Sequence, residues 1–125
     1  MFMRVTSVLV LALSFAACGG YSSPSAPSTG STSAPAGSTT VNIPGGASTQ
    51  TTTAFGQNPL TISVGTTVSW LNTDNTTHTS AADGSQWSSG NIAPGERFNF
   101  TFASAGRYTY HCQIHPNMIG TIVVQ

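Results

Sequence analysis

Between Val41 and Gln125 the apolar residues recur at every second position in short runs, and no stretch carries a helical period. Leu60, Ile62 and Val64 alternate, Gly65 turns the chain, and Val68 and Trp70 resume the alternation. Phe98, Phe100 and Phe102 fall on one face of a further strand, which Gly106 ends. Tyr108, Tyr110 and Cys112 share a face of the next, and Thr121 to Val124 forms a last one. Asp83-Gly84 and Pro94-Gly95 are turn signals between these runs. Short strands with frequent turns predict an all-β sandwich. A domain of about 85 residues buries a limited core, so a bound metal would add to its stability.

The segment before Val41 has a different character. Residues 1–17 read as an export signal, with Arg4 as the positive end and Val5 to Ala17 as an apolar run too short to span a bilayer comfortably. The run ends in Phe15-Ala16-Ala17-Cys18, which resembles the bacterial lipoprotein processing signal, with Phe15 where Leu is usual. That resemblance implies lipidation of Cys18, anchorage to a membrane, and a place in the periplasm or cell envelope. Residues 18–40 then form the lipidated Cys and a linker. From Tyr21 to Thr40, eleven of twenty residues are Ser or Thr, with three Pro and two Gly. Such a composition cannot bury enough apolar surface to order itself, and as a flexible tether it spans roughly 25 Å. The expected organisation is thus signal 1–17, disordered linker 18–40 and β domain 41–125.

Charge excludes one class of partner. The chain has three cationic and three acidic side chains, and Arg4 leaves with the signal. Arg97 and Arg107 then face Asp74, Asp83 and Glu96, and no basic surface for nucleic acid can be built from them. The cysteines say more. With Cys18 acylated, Cys112 has no partner for a disulfide, and a lone thiol in an oxidising compartment is a liability unless something uses it.

The stretch YTYHCQIHPNMIGTIVV, Tyr108 to Val124, shows what that use is. Cys112, His115 and Met118 are each separated by two residues, which places a thiolate, an imidazole and a thioether close together. Soft sulfur donors favour copper, and Cys with His and a weak Met is the donor set of a blue-copper site. A second His is needed from another part of the chain. His78 supplies it from the polar loop that follows the Trp70 strand.

VSWLN, His78, DGSQWSSGNIAPGERFNFTF and GRYTYHCQIHPNMIGTIVV together resemble the cupredoxin family, in its plastocyanin and amicyanin branch. The likeness covers Thr61 to Val124, and the Cys-x-x-His-x-x-Met loop looks most like amicyanin. It implies a Greek-key β-sandwich of about seven to eight strands and one type 1 copper ion held by His78, Cys112, His115 and Met118. It also implies one-electron transfer between a redox donor and a redox acceptor rather than enzymatic turnover. Electrons would pass at the exposed edge of His115, in an apolar patch with Pro116, Ile114 and Ile119. Docking there would be transient and the protein a monomer. In much of the family an Asn follows the first His ligand and ties the two ligand loops together. Thr79 stands there in this chain, and its hydroxyl can do part of that work with less reach, which bears on the potential and rigidity of the site and not on the ligand set.

Two alternatives belong beside this reading. A His-Cys pair such as His111-Cys112 also occurs in multicopper enzymes, but three His in all are too few for a further centre. Adjacent strand residues point to opposite faces, so His111 is expected to face away from the metal as a partly exposed residue. The second alternative is a copper-binding or delivery lipoprotein with no electron partner. Delivery proteins favour several sulfur ligands, whereas Met118 is the only Met beyond the signal.

Overall fold

A computed structural model describes residues 37–125 of the chain. The signal run, Cys18 and nearly all of the linker lie outside the described residues. Among the described residues there are seven strands: β1 Ser38–Ile43, β2 Leu60–Ile62, β3 Thr67–Asn72, β4 Ala81–Ala82, β5 Arg97–Thr101, β6 Gly106–His111 and β7 Ile119–Val124. One three-residue 3₁₀ turn, Ala47–Thr49, interrupts the long connection from β1 to β2. The strands form two sheets, ordered β1-β3-β5 and β2-β7-β6-β4. β1 runs parallel to β3 and β2 parallel to β7, while β3/β5, β4/β6 and β6/β7 are antiparallel. This is the expected all-β sandwich with the expected number of strands.

The alternation read from the sequence is what closes the two sheets on each other. In β3 Val68, Trp70 and Asn72 are buried and their neighbours only partly so. Val68 and Trp70 meet Ile62, Tyr110, Ile122 and Val124 of the other sheet in one apolar cluster. At its centre Trp70 is fully buried and lies edge-on to Tyr110, with centroids 5.6 Å apart at 82°. Trp87 packs beside it at 5.5 Å and contacts Phe102 at 5.3 Å. Edge-to-face rings of this kind contribute about 0.5–1.5 kcal/mol beyond their buried area. Gly120 lies opposite Tyr110 in the β6/β7 ladder, and the Tyr110 ring occupies the space a Cβ would take.

Turn chemistry follows the expected signals. Glu96 N–H donates to Ala93 O across Pro94-Gly95, with Gly95 at φ 82°, the left-handed geometry that glycine adopts without cost. Ser85 N–H donates to Ala82 O across Asp83-Gly84.

The structure extends the domain beyond its expected start. β1 begins at Ser38, inside the Ser/Thr-rich segment, where Ser38, Thr39 and Thr40 pair with Thr67, Val68 and Ser69. A parallel ladder at a sheet edge accepts polar β-branched residues because only one of its faces is covered. Composition alone does not mark them as strand. The connection from Gly45 to Pro59 also contributes to the core, since Ala47, Ala54 and Phe55 are buried.

Candidate metal centre

The donors converge at one end of the sandwich. β6 ends at His111, and Cys112 follows as the first residue of the turn into β7. Cys112 N–H donates to Met118 O (3.1 Å) and Met118 N–H to His115 O (2.9 Å), which folds Cys112–Met118 into a closed loop. His78 comes from the other side. It pairs with Ile92 in an isolated bridge, with His78 N–H to Ile92 O at 3.1 Å and Ile92 N–H to His78 O at 2.8 Å. One donor atom from each of His78, Cys112 and His115 lies within 4.8 Å of the others. The two imidazole centroids are 5.0 Å apart, and Cys112 Sγ is 3.7 Å from His115 Nδ1. His78 and Cys112 are fully buried, and His115 is partly exposed. Met118 is fully buried in the same apolar cluster as Cys112.

The orientation of His78 is settled by its neighbour. Asp74 Oδ2 lies 2.9 Å from His78 Nε2, and both side chains are almost completely enclosed (3% and 0% exposed). The hydrogen bond with His78 holds the Asp74 carboxyl below the usual carboxylate range, against the opposing effect of burial. With Nε2 engaged by Asp74, Nδ1 is the ring nitrogen left for another partner. That Nδ1 is buried and has no hydrogen-bond partner. A buried unpartnered nitrogen beside a thiol sulfur and a second imidazole calls for a ligand, because leaving it unpaired costs about 1–3 kcal/mol. Two imidazoles and a thiolate suit copper by softness and number, so the donor set fits the metal expected from the sequence.

Further residues, not singled out in the sequence, hold this arrangement. Asn72 Nδ2 donates to Thr76 O and Ile92 O, both at 2.8 Å, and its Oδ1 accepts Asp74 N–H at 2.9 Å. Asn75 N–H donates to Asp74 Oδ1 at 2.7 Å. On the other loop, Asn117 Nδ2 donates to Ser48 O (3.0 Å) and Gln50 O (2.8 Å), pinning the Cys112–Met118 turn to the β1–β2 connection. The amides that do this are ordinary polar loop residues by sequence; nothing local distinguishes them from solvated ones.

Thr79 takes up part of the work expected of an Asn at its position. Its hydroxyl accepts Gln113 N–H at 2.7 Å and lies 3.7 Å from Cys112 Sγ, while Thr79 N–H donates to the same sulfur at 3.3 Å. The tie between the two ligand loops is therefore present. Thr79 reaches because its backbone amide already touches the sulfur, so the hydroxyl needs to span only one further residue. His111 is as expected: 35% exposed, outside the donor group, and paired through Nδ1 with Asp83 Oδ1 at 2.6 Å. Hydrogen bonds from Thr109 and His111 hold the Asp83 carboxyl below its ordinary value.

The surface around His115 carries apolar side chains. Ile114 is 47% exposed, Ile119 is 42% exposed, and Pro116 is exposed between them in the chain.

Comparison with known proteins agrees with the geometry. A family model described as copper binding proteins, plastocyanin/azurin family, matches residues 41–125. Among solved structures, a purple cupredoxin from Nitrosopumilus maritimus is 31% identical, with a TM-score of 0.64 over 69% of this chain and 98% of that one. A Cu(I) structure of a methionine-to-alanine variant of amicyanin is 27% identical, with a TM-score of 0.59 over 70% of this chain and 82% of that one. An oxidised proline-to-alanine variant of amicyanin is 28% identical, with a TM-score of 0.60 over the same shares, 70% and 82%.

Proposed function

Because the chain belongs to the plastocyanin/azurin family of copper-binding proteins, we propose that it is a one-electron carrier, cycling between a redox donor and a redox acceptor. The observation that carries this reading is that His78, Cys112 and His115 each bring a donor atom within 4.8 Å of the others, while Nδ1 of the buried His78 has no hydrogen-bond partner. Copper held there would supply the one-electron couple, Cu(II)/Cu(I), and His78, Cys112, His115 and Met118 are the residues that would hold it.

The protein's own residues suit that task in three ways. First, the donors are held before the metal arrives. Asp74 and Asn72 orient His78, Thr79 joins the two loops, and Asn117 pins the second. Donors that do not relocate between the two oxidation states keep the reorganisation cost of electron transfer small. Second, the N–H of Thr79 is directed at Cys112 Sγ, which offsets negative charge on that sulfur as it ligates. Third, His115 reaches the surface while His78 is enclosed, so His115 is the side chain through which a partner gains access. Ile114, Pro116 and Ile119 would form the docking patch around it, small enough for a transient encounter of monomers. Export, lipidation of Cys18 and tethering to a membrane of the bacterial envelope complete the reading, supported by the sequence signals of residues 1–40.

The test is the visible and EPR spectrum of the chain after addition of Cu(II). An intense charge-transfer colour with narrow copper hyperfine splitting, lost in Cys112→Ser, is expected. A colourless product with an ordinary type 2 spectrum would mean that the donors do not act together. Fast electron self-exchange separates a carrier from a copper-delivery protein, which would instead yield its copper to a mild chelator. A charged substitution at Pro116 should slow exchange without altering the spectrum; an unchanged rate would remove the docking patch from the proposal.

A further inference from the structure

Two runs of chain close on each other beside the metal centre, and they do not match in length. Ala81 bridges Ser88, and His78 bridges Ile92. Between those bridges stand Thr79 and Ser80 on one side and Ser89, Gly90 and Asn91 on the other. Ser89 N–H donates to Ser80 O at 3.0 Å, so those two residues lie opposite each other and the surplus falls against Thr79. Gly90 and Asn91 together oppose that single residue, which makes a β-bulge. Gly90 has φ 63°, the left-handed geometry that a glycine takes at the first position of such a bulge. The burial pattern records the slip. Trp87 is buried and Ser89 half-buried, so strict alternation would put Asn91 inside; Asn91 is exposed and Ile92 is buried instead.

The bulge sits where the regular strand pattern fails. Adjacent residues of a strand point to opposite faces. His78 and Thr79 are adjacent, yet both address one sulfur. His78 brings a ring nitrogen within 4.8 Å of the Cys112 donor, and the Thr79 hydroxyl lies 3.7 Å from it. The ladder is interrupted at the same place, since Ser80 N–H donates to the Ser89 hydroxyl at 2.8 Å in place of a carbonyl. A bulge bends its strand and increases the local twist, and a twist between residues 78 and 79 is what two consecutive side chains need in order to converge. We infer that the Gly90–Asn91 bulge is a positioning device of the metal centre, with Gly90 as its positioning residue: it turns Thr79 onto Cys112 while the Ile92 backbone keeps His78 in place. Two bonds do the latter, His78 N–H to Ile92 O at 3.1 Å and Ile92 N–H to His78 O at 2.8 Å. The inference rests on the copper-carrier reading above for the metal that the device serves.

Deleting Gly90 leaves two residues against two, so Ile92 still meets His78 and the ladder runs straight through. Amide hydrogen exchange of the copper-free full chain reads the result. The Ile92 amide should keep its wild-type protection. The Gln113 amide, bonded to the Thr79 hydroxyl at 2.7 Å, should exchange at least about fivefold faster. A pair of substitutions makes the same test at full length. Nothing lies within 4 Å of a Cβ at position 90, so Gly90→Val and Gly90→Asn differ in their tolerance of φ 63° and not in fit. Gly90→Val should release the Gln113 amide as the deletion does, and Gly90→Asn should stay nearer to wild type. In the copper-loaded chain Gly90→Val should also shift the charge-transfer band, which a bulge that only supports the fold would leave alone. Wild-type exchange at Gln113 in Gly90→Val would overturn the inference. So would equal losses of protection at Ile92 and Gln113, because the bulge would then hold up the strand as a whole. A wild-type chain with no charge-transfer band would instead sink the copper-carrier reading, and the exchange contrast in the copper-free chain would still decide whether the bulge turns Thr79.

Discussion

Thr79→Val removes one hydroxyl and almost nothing else, and its cost can be worked from the contacts. Val matches Thr in shape, so no cavity forms. The lost group accepts Gln113 N–H at 2.7 Å and lies 3.7 Å from Cys112 Sγ. At 3.7 Å the sulfur contact is weak, and Cys112 keeps the Thr79 backbone donor at 3.3 Å. The Gln113 amide dominates. An ordinary hydrogen bond contributes about 1 kcal/mol net, and a donor left facing apolar surroundings costs about 1–3 kcal/mol. Thr79 is enclosed while Gln113 is exposed, so water reaches the amide in part and a value near ~1.5 kcal/mol is expected. In a domain of this size each kcal/mol moves the unfolding temperature by about 4–8 °C, giving a drop of about 6–12 °C. The assay is thermal unfolding of the copper-free protein, because bound metal would add its own stabilisation by mass action. Thr79→Ser keeps the hydroxyl and should lose less than Thr79→Val. A Thr79→Val midpoint within about 2 °C of wild type would show that the 2.7 Å contact does not join the loops.

Gly120→Ala should destabilise the domain by about 1–3 kcal/mol, because the new methyl collides with a Tyr110 ring that Phe55, Trp70 and Trp87 prevent from moving aside; a denaturant midpoint equal to wild type would refute that packing. Asp83 predicts a pH effect of definite sign. A carboxyl held below its ordinary value contributes stability that is complete above about pH 4 and is lost as pH falls through the lowered value. The stability of copper-free Asp83→Asn should therefore decline less than that of wild type between about pH 5 and pH 2, and an equal decline would show that the Thr109 and His111 contacts do not matter to folding. Asn117→Ala releases the ligand loop from Ser48 and Gln50, and a loss of about 1 kcal/mol should speed copper removal by a chelator about fivefold; an unchanged rate would assign the loop's rigidity to its own turn.

The fold was legible wherever a side-chain period could be counted. Val68 and Trp70, or Phe98 and Phe100, repeat every second residue, and that is enough to tell which face is covered. It was illegible where the ladder is polar or the element too short. Ser38–Thr40 read as linker because Ser and Thr serve both roles, and Ala81–Ala82 has no period to count. Nor did the sequence announce that Phe55, in a segment with no strand pattern, stacks on Tyr110 at 4.7 Å.

At the metal centre the division follows chain distance. Cys112, His115 and Met118 are spaced by a single tight loop, so their chemistry and their proximity are local properties that the order of residues determines, and with His111 on the opposite strand face from Cys112, His78 is left as the partner. Which nitrogen of His78 faces the site, whether Thr79 can replace a longer amide, and what holds the loops are decided by hydrogen bonds between Asp74 and His78, Thr79 and Gln113, and Asn117 and Ser48. The last two join residues 34 and 69 positions apart. Hydrogen bonds are directional and act over about 3 Å, so such partners are chosen only when the two sheets have closed and brought those atoms within reach.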